Sequence, residues 1–188
     1  MSQPHIAIIS ASVREKRNSH RVALFFENYI STNQIGSTKM LDLMDLNFPL
    51  FHERLKYQTQ PTKDVLDFAA EIKKADGVII VTPEYNGGYP ASLKNVVDLL
   101  YDEWKRKPIA ISTVSDGGFA GMNVITSIQY SLWKIQSWTV PAMFPVPKVH
   151  DSFSETGIPA DLEGTNKRAK KFIDELLWCI EAKRRMEQ

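Results

Sequence analysis

Ser12-Val13-Arg14-Glu15-Lys16-Arg17-Asn18-Ser19 brings two hydroxyls, three cations and an amide into one short stretch between an apolar run and a helical pattern. Side-chain donors, positive charge and the positive end of a helix dipole together suit an anion, and a phosphate most of all. In that use the Ser12 and Ser19 hydroxyls donate to its oxygens and Arg14 or Arg17 neutralises its charge. A plainer use has Asn18 or Ser19 capping the helix and the basic side chains solvated. The stretch from Ser10 to Ser19 contains no glycine, so it is neither a dinucleotide GxGxxG nor a P-loop.

A second stretch, Thr82-Pro83-Glu84-Tyr85-Asn86-Gly87-Gly88-Tyr89-Pro90, follows the most apolar run of the chain. Two glycines let the main chain turn and come close to a flat ligand, and two tyrosines offer ring faces. Backbone N–H groups there can meet a ring edge on which negative charge grows. The alternative is an ordinary turn into a helix started by Pro90, with Tyr85 and Tyr89 as packing. The third stretch, Ser115-Asp116-Gly117-Gly118-Phe119-Ala120-Gly121, also follows an apolar run and can present main-chain donors unobstructed by Cβ atoms. It reads equally well as a flexible lead into a helix.

Other chemistries find little support. His5, His20, His52 and His150 show no i,i+4 pair, and Cys179 is the only cysteine, so neither zinc nor a disulfide within the chain is expected. The net charge of +1, from 23 basic and 22 acidic residues, gives no field for nucleic acid or a membrane surface. Nor does any stretch reach the ~20 apolar residues of a membrane span. Met1-Ser2-Gln3-Pro4-His5 leads into an apolar strand with no basic region or cleavage site, so the expected location is cytoplasmic.

The three stretches must be held by the elements between them. Ile6–Ile9, Val78–Val81 and Ile109–Val114 are short apolar runs, as in strands buried on both faces of a parallel sheet. Thr38 to Met44 and Val140 to Val146 read as peripheral strands, the latter carrying Pro141 and Pro145 as an edge strand can. Helical spacing appears over residues 19 to 32, after Pro61-Thr62, after Pro90, around Val124 to Ile135, and from Ala169 to Ile180. Asp45 to Gln60 reads as a long aromatic loop with a function of its own. Strands and helices in alternation predict one domain over residues 1–188, an α/β/α sandwich whose five-stranded parallel sheet has the flavodoxin-like order 2-1-3-4-5. Its ligand crevice lies past the C-terminal ends of strands one and three, where the first two stretches fall.

With these motifs in place, the chain resembles the NADPH-dependent FMN reductases, a family that includes flavin-binding quinone, azo-dye and chromate reductases. Ser12-Val13-Arg14 through Ser19 is similar to the family's Gly-Ser-x-Arg phosphate loop. Pro83-Glu84-Tyr85-Asn86 is similar to its isoalloxazine segment, with Leu93-Lys94-Asn95 in the helix that follows, and Ser115-x-Gly117-Gly118 to its third flavin loop. Ala11 stands where the family usually has glycine, and Met122 where a second glycine pair is often found.

The resemblance implies FMN as cofactor. Its phosphate is expected on Ser12, Arg14, Arg17, Asn18 and Ser19, and its ring along Pro83, Glu84, Tyr85, Asn86 and Gly87, met by Ser115, Asp116, Gly117 and Gly118. It implies NADPH or NADH as hydride donor to the flavin N5, and a small-molecule acceptor such as a quinone, azo compound, metal oxyanion or free flavin. No side chain is expected to act as a catalytic base. A homodimer or a tetramer is implied, with Phe48 to Tyr57 as the candidate contact. The rival expectation is a flavodoxin-type electron carrier without NAD(P)H turnover, which the balanced charge and the basic first loop disfavour.

Overall fold

The computed structural model describes residues 3–46 and 48–187. Met1, Ser2, Asn47 and Gln188 lie outside the described residues, so the readings that include them apply to their neighbours only.

Five strands form one parallel sheet: β1 (His5–Ser10), β2 (Ser37–Asp42), β3 (Gly77–Pro83), β4 (Pro108–Val114) and β5 (Trp138–Val146). Their order is β2-β1-β3-β4-β5, the flavodoxin-like order. Helices α1 (Ser19–Thr32), α2 (Lys63–Lys74), α3 (Ala91–Leu99), α4 (Val124–Lys134), α5 (Val149–Ser152) and α6 (Leu162–Met186) connect and follow the strands. The alternation of side chains along a strand decides which helices cover which face. Ala7, Ile9, Val78 and Ile80 point into a core shared with α2, α3 and α4. Ile6, Ile8, Ile79 and Val81 point the other way, into a core shared with α1 and α6. Phe26, Phe144 and Phe172 close the second core, with ring centroids 5.0–5.7 Å apart.

Three features depart from the sequence expectation. β2 stops at Asp42 rather than Met44, because the Asp42 carboxylate accepts the Met44 N–H at 3.1 Å and turns the chain. β5 starts at Trp138, ahead of Val140, and slips register against β4 between Ile109 and Ile111, which pair with Thr139 and Met143. Pro141, with no N–H to give the ladder, lies within that irregularity. The four-residue α5 is too short to show an apolar period, so no pattern in the sequence marks it. It begins after Lys148, whose φ of 44° is left-handed.

The helices differ at their N-termini. Thr62 caps α2 by accepting from Val65 N, and Asp161 caps α6 by accepting from Gly164 N. The residues that precede α1, α3 and α4, namely Asn18, Pro90 and Asn123, provide no side-chain cap. Those three helices follow the loops rich in candidate binding residues.

Candidate functional site

The loops after β1, β3 and β4 converge at the C-terminal edge of the sheet and are tied to one another. The Ser12 and Tyr85 hydroxyls are 2.6 Å apart, joining the first loop to the second. Ser92, in the first turn of α3, donates 2.6 Å to the Ala11 carbonyl. Asn18 Nδ2 donates 3.1 Å to Asp116, joining the first loop to the third. Glu84 joins the second to the start of α4, accepting from both the backbone and the side-chain nitrogen of Asn123 at 3.1 and 3.0 Å. The crevice is thus framed by the protein's own bonds.

In the first loop, Ala11 is fully buried and its N–H donates 3.0 Å to the Val81 carbonyl. Its φ is not positive, so an alanine fits where the family usually has glycine. Ser19 opens α1 only 4% exposed, and its hydroxyl has no hydrogen-bond partner among the described residues. An unpaired buried hydroxyl costs about 1–3 kcal/mol, which a ligand oxygen can recover. Arg14 is exposed, its guanidinium 5.7 Å from the Tyr85 ring centroid, and no carboxylate pairs with it among the described residues. Arg17 points the other way, with both terminal nitrogens on the buried carboxylate of Asp42 and Nη1 also on the Ser12 carbonyl at 2.8 Å. His20 Nδ1 lies 3.2 Å from Asp42 and 3.1 Å from the Ser10 hydroxyl. Burial holds this imidazole below its usual pKa, against the attraction of Asp42, so it is neutral at pH 7.

The second loop is a tight hairpin: Tyr85 N donates to the Gly88 carbonyl at 2.8 Å and Gly88 N to the Tyr85 carbonyl at 3.1 Å. Asn86 and Gly87 between them have φ of 52° and 81°, the signature of a type I′ turn. A Cβ on Gly87 would meet nothing within 4 Å, so its side of the turn is open. Tyr89 is turned away from the crevice onto α4, its hydroxyl 2.7 Å from that of Ser131. In the third loop, Gly117 and Gly118 also face open space. The segment is braced from behind by Lys148 N and Val149 N, which donate to the Gly117 and Ser115 carbonyls at 3.2 and 3.1 Å. Met122 lies in the turn before α4, with the Thr113 hydroxyl 3.8 Å from its sulfur.

The structure therefore brings Ser12, Arg14, Asn18, Ser19, Pro83–Gly87 and Ser115–Gly118 to one edge of the sheet, while the Arg17 guanidinium is committed to Asp42. Nothing in the sequence marks Asp42, His20 or His150, whose Nδ1 lies 3.3 Å from the Asp116 carboxylate, strongly as members of this region, whereas Asn95 stands in the Leu93-Lys94-Asn95 segment that is similar to the family's. Asp42 carries one signal, an acid flanked by Leu41 and Leu43 at the end of a strand. Asn95 holds the backbone of the aromatic loop at both side-chain atoms, donating to Pro49 O at 2.9 Å and accepting from Phe51 N at 2.5 Å. It thereby walls a cavity of about 320 Å³ lined by Val13, Leu43, Leu46, Phe48 and Leu50. A larger cavity of about 730 Å³ lies at the β2 edge between α1 and α2, its lining reaching His20, Asp42 and Asp45 beside the first loop. Among the described residues no cluster of three His, Cys, Asp or Glu could hold a metal ion, and no helix is long and apolar enough to cross a membrane.

Residues 4–151 match the family model of the NADPH-dependent FMN reductases. The chain belongs to that family. Among curated relatives, an NAD(P)H-dependent FMN reductase of Schizosaccharomyces pombe is 31% identical over 74% of this chain and 71% of its own. A quinone reductase of Pseudomonas putida is 30% identical over 70% of this chain and 72% of its own. Among solved structures, the flavoenzyme NAD(P)H:(acceptor) oxidoreductase FerB of Paracoccus denitrificans superimposes with a TM-score of 0.75 at 23% identity, covering 95% of this chain and 98% of that one, a likeness of fold.

For this FMN reductase family member, FMN is the cofactor and NAD(P)H the electron donor. The residues present fit such a group. An uncapped helix with an orphaned buried hydroxyl at its first residue suits the phosphate, and two glycine-bearing turns with open space suit a flat ring.

Proposed function

We propose that the three loops hold FMN, with the phosphate at the start of α1 and the ring along Pro83–Gly87, and that the protein works as an NAD(P)H oxidoreductase. The observation that carries this reading is the buried, unpartnered Ser19 hydroxyl at the N-terminus of a helix that no side chain caps. Bound there, FMN would supply two-electron redox chemistry between NAD(P)H and a small oxidised acceptor such as a quinone, an azo compound, a metal oxyanion or free flavin.

The chain's own residues bind and orient. Ser12 and Ser19 donate to phosphate oxygens, Asn18 fixes the loop against Asp116, and Arg14 supplies the positive charge. Backbone N–H groups of Gly87, Gly117 and Gly118 offer donors to the ring edges without Cβ obstruction, and that of Asn86 lies beside them. Glu84 and Ser115 act on the site's frame, Glu84 through Asn123 and Ser115 through its 2.9 Å bond to the Gly117 carbonyl. No titratable side chain is asked to move a proton.

The second part of the reading is a homodimer. Leu50 is 85% and Tyr57 62% exposed on the aromatic loop, and Tyr130 and Trp133 are exposed on α4, an apolar display of the kind a partner covers. Sedimentation at micromolar concentration should give twice the chain mass, and a single-chain mass would remove this part alone. For the enzymatic reading, purified protein loaded with FMN should lose its visible flavin band when NADPH or NADH is added anaerobically, and recover it on addition of a quinone. Persistence of the band with both nucleotides would instead point to an electron carrier.

A further inference from the structure

We propose that Asp42 is a positioning residue for the phosphate loop and that Arg17 is its strut rather than a phosphate ligand; this rests on the FMN reading above.

Asp42 ends β2 at 7% exposure, and its contacts fix backbone around the crevice. Its Oδ1 accepts the Met44 N–H, which sets the start of the aromatic loop. Its two oxygens take the two terminal nitrogens of Arg17 in a fork. Arg17 Nη1 then reaches the Ser12 carbonyl at 2.8 Å. A guanidinium Nη carries two hydrogens, so Nη1 is filled by Asp42 and Ser12, and the flat fork that would grip a phosphate is already engaged. The path from β2 through Asp42 and Arg17 to Ser12 is an unbroken chain of charge-assisted bonds ending one residue from the Ala11–Val81 bond.

The charges agree with this assignment. Asp42 cancels Arg17, and His20, which contacts the same carboxylate, is held neutral by burial, with Asp45 and Glu27 as its further acidic neighbours. The pair therefore gives the loop its shape without adding net charge, and Arg14, which no carboxylate engages among the described residues, is left to meet the phosphate. An arginine two residues before a candidate phosphate donor reads as a ligand in the sequence, and only the position of β2 shows where its guanidinium goes.

Binding of FMN and of riboflavin, which lacks the phosphate, by fluorescence quenching tests the proposal in wild type, R14A, R17K, D42N and the R17K/D42N pair. A charge-assisted bond is worth enough that losing it costs roughly tenfold to a hundredfold. R17K and D42N should each weaken FMN by about tenfold or more and leave riboflavin within about threefold, and the pair should be no worse than either alone. FMN affinity retained in R17K would mean that a point charge suffices and Arg17 is a ligand. Tighter FMN binding in D42N would mean that its carboxylate restrains a phosphate-seeking cation. Additive losses would break the coupling. Each of these overturns the proposal. If R14A and wild type alike fail to prefer FMN over riboflavin, the phosphate seat itself is wrong, a separate failure. Should D42N not fold by circular dichroism, R17K against wild type decides, since it keeps the charge and removes only the fork.

Discussion

Helices α2 and α6 are capped by the side chain of the residue that precedes each, whereas Asn18, Pro90 and Asn123, before α1, α3 and α4, provide no such cap. All five start at the C-terminal edge of the same sheet, so the difference lies in what each first turn is for. In α2 the Thr62 hydroxyl accepts the Val65 N–H, and at the far end the Lys107 amine donates to the carbonyls of Lys73 and Ala75. In α6 Asp161 accepts the Gly164 N–H at 2.9 Å. At α1 the corresponding position is Asn18, whose side chain reaches across to Asp116, and Ser19 is buried with an unused hydroxyl. Side-chain caps stabilise the fold, and a first turn without one, as at α1, suits the phosphate proposed there.

The contrast can be broken at its strongest point first, the closed C-terminus of α2. Burial, reinforced by the nearby Lys183, pulls the Lys107 pKa down to about 8, from the usual lysine value of 10.5. Below pH 8 both folded and unfolded chains carry the proton, and above pH 10.5 neither does. Between them the unfolded chain binds it more firmly, so stability rises with pH through this residue. The rise should amount to on the order of 3 kcal/mol across the window. Urea unfolding of wild type and K107M at about pH 8 and about pH 10 should show most of that increment in wild type only, and parallel curves would contradict it.

The N-terminal caps come next. T62A and D161A should each lose about 1 kcal/mol of stability, with FMN affinity unchanged. The smallest change in stability belongs to the open end: S19A removes a hydroxyl with no partner among the described residues, so the ligand-free protein should stay within about 0.5 kcal/mol of wild type. The same variant should bind FMN roughly tenfold more weakly. A destabilised S19A with normal FMN affinity would reverse the assignment of open and closed ends.

Much of this is legible in the residues. Ile6–Ile9 and Val78–Val81 announce doubly buried strands, helical spacing marks every long helix, and Asn86-Gly87 declares its turn, because these features depend on neighbours along the chain. The fate of Arg17 is not legible. Its partner Asp42 is 25 residues away at the end of β2, and local composition cannot tell a cation bound to a carboxylate from one awaiting a phosphate. The same holds for Glu84, which reads as a residue of the ring segment and is found holding Asn123, and for Tyr89, whose ring could have faced the crevice but packs on α4. Ser19 stands out as a donor from its position alone; that its hydroxyl is buried and unpartnered is a property of the packed helix.

The central claim is that the first turn of α1 and the loop before it seat a phosphate. Equilibrium titration of wild type and R14A/S19A with FMN and with riboflavin tests it most directly. The account predicts that the double variant loses at least about a hundredfold in FMN affinity, two charge-assisted contacts being removed, while riboflavin binds as it does to wild type. Equal loss for both flavins, or none for FMN, would contradict it.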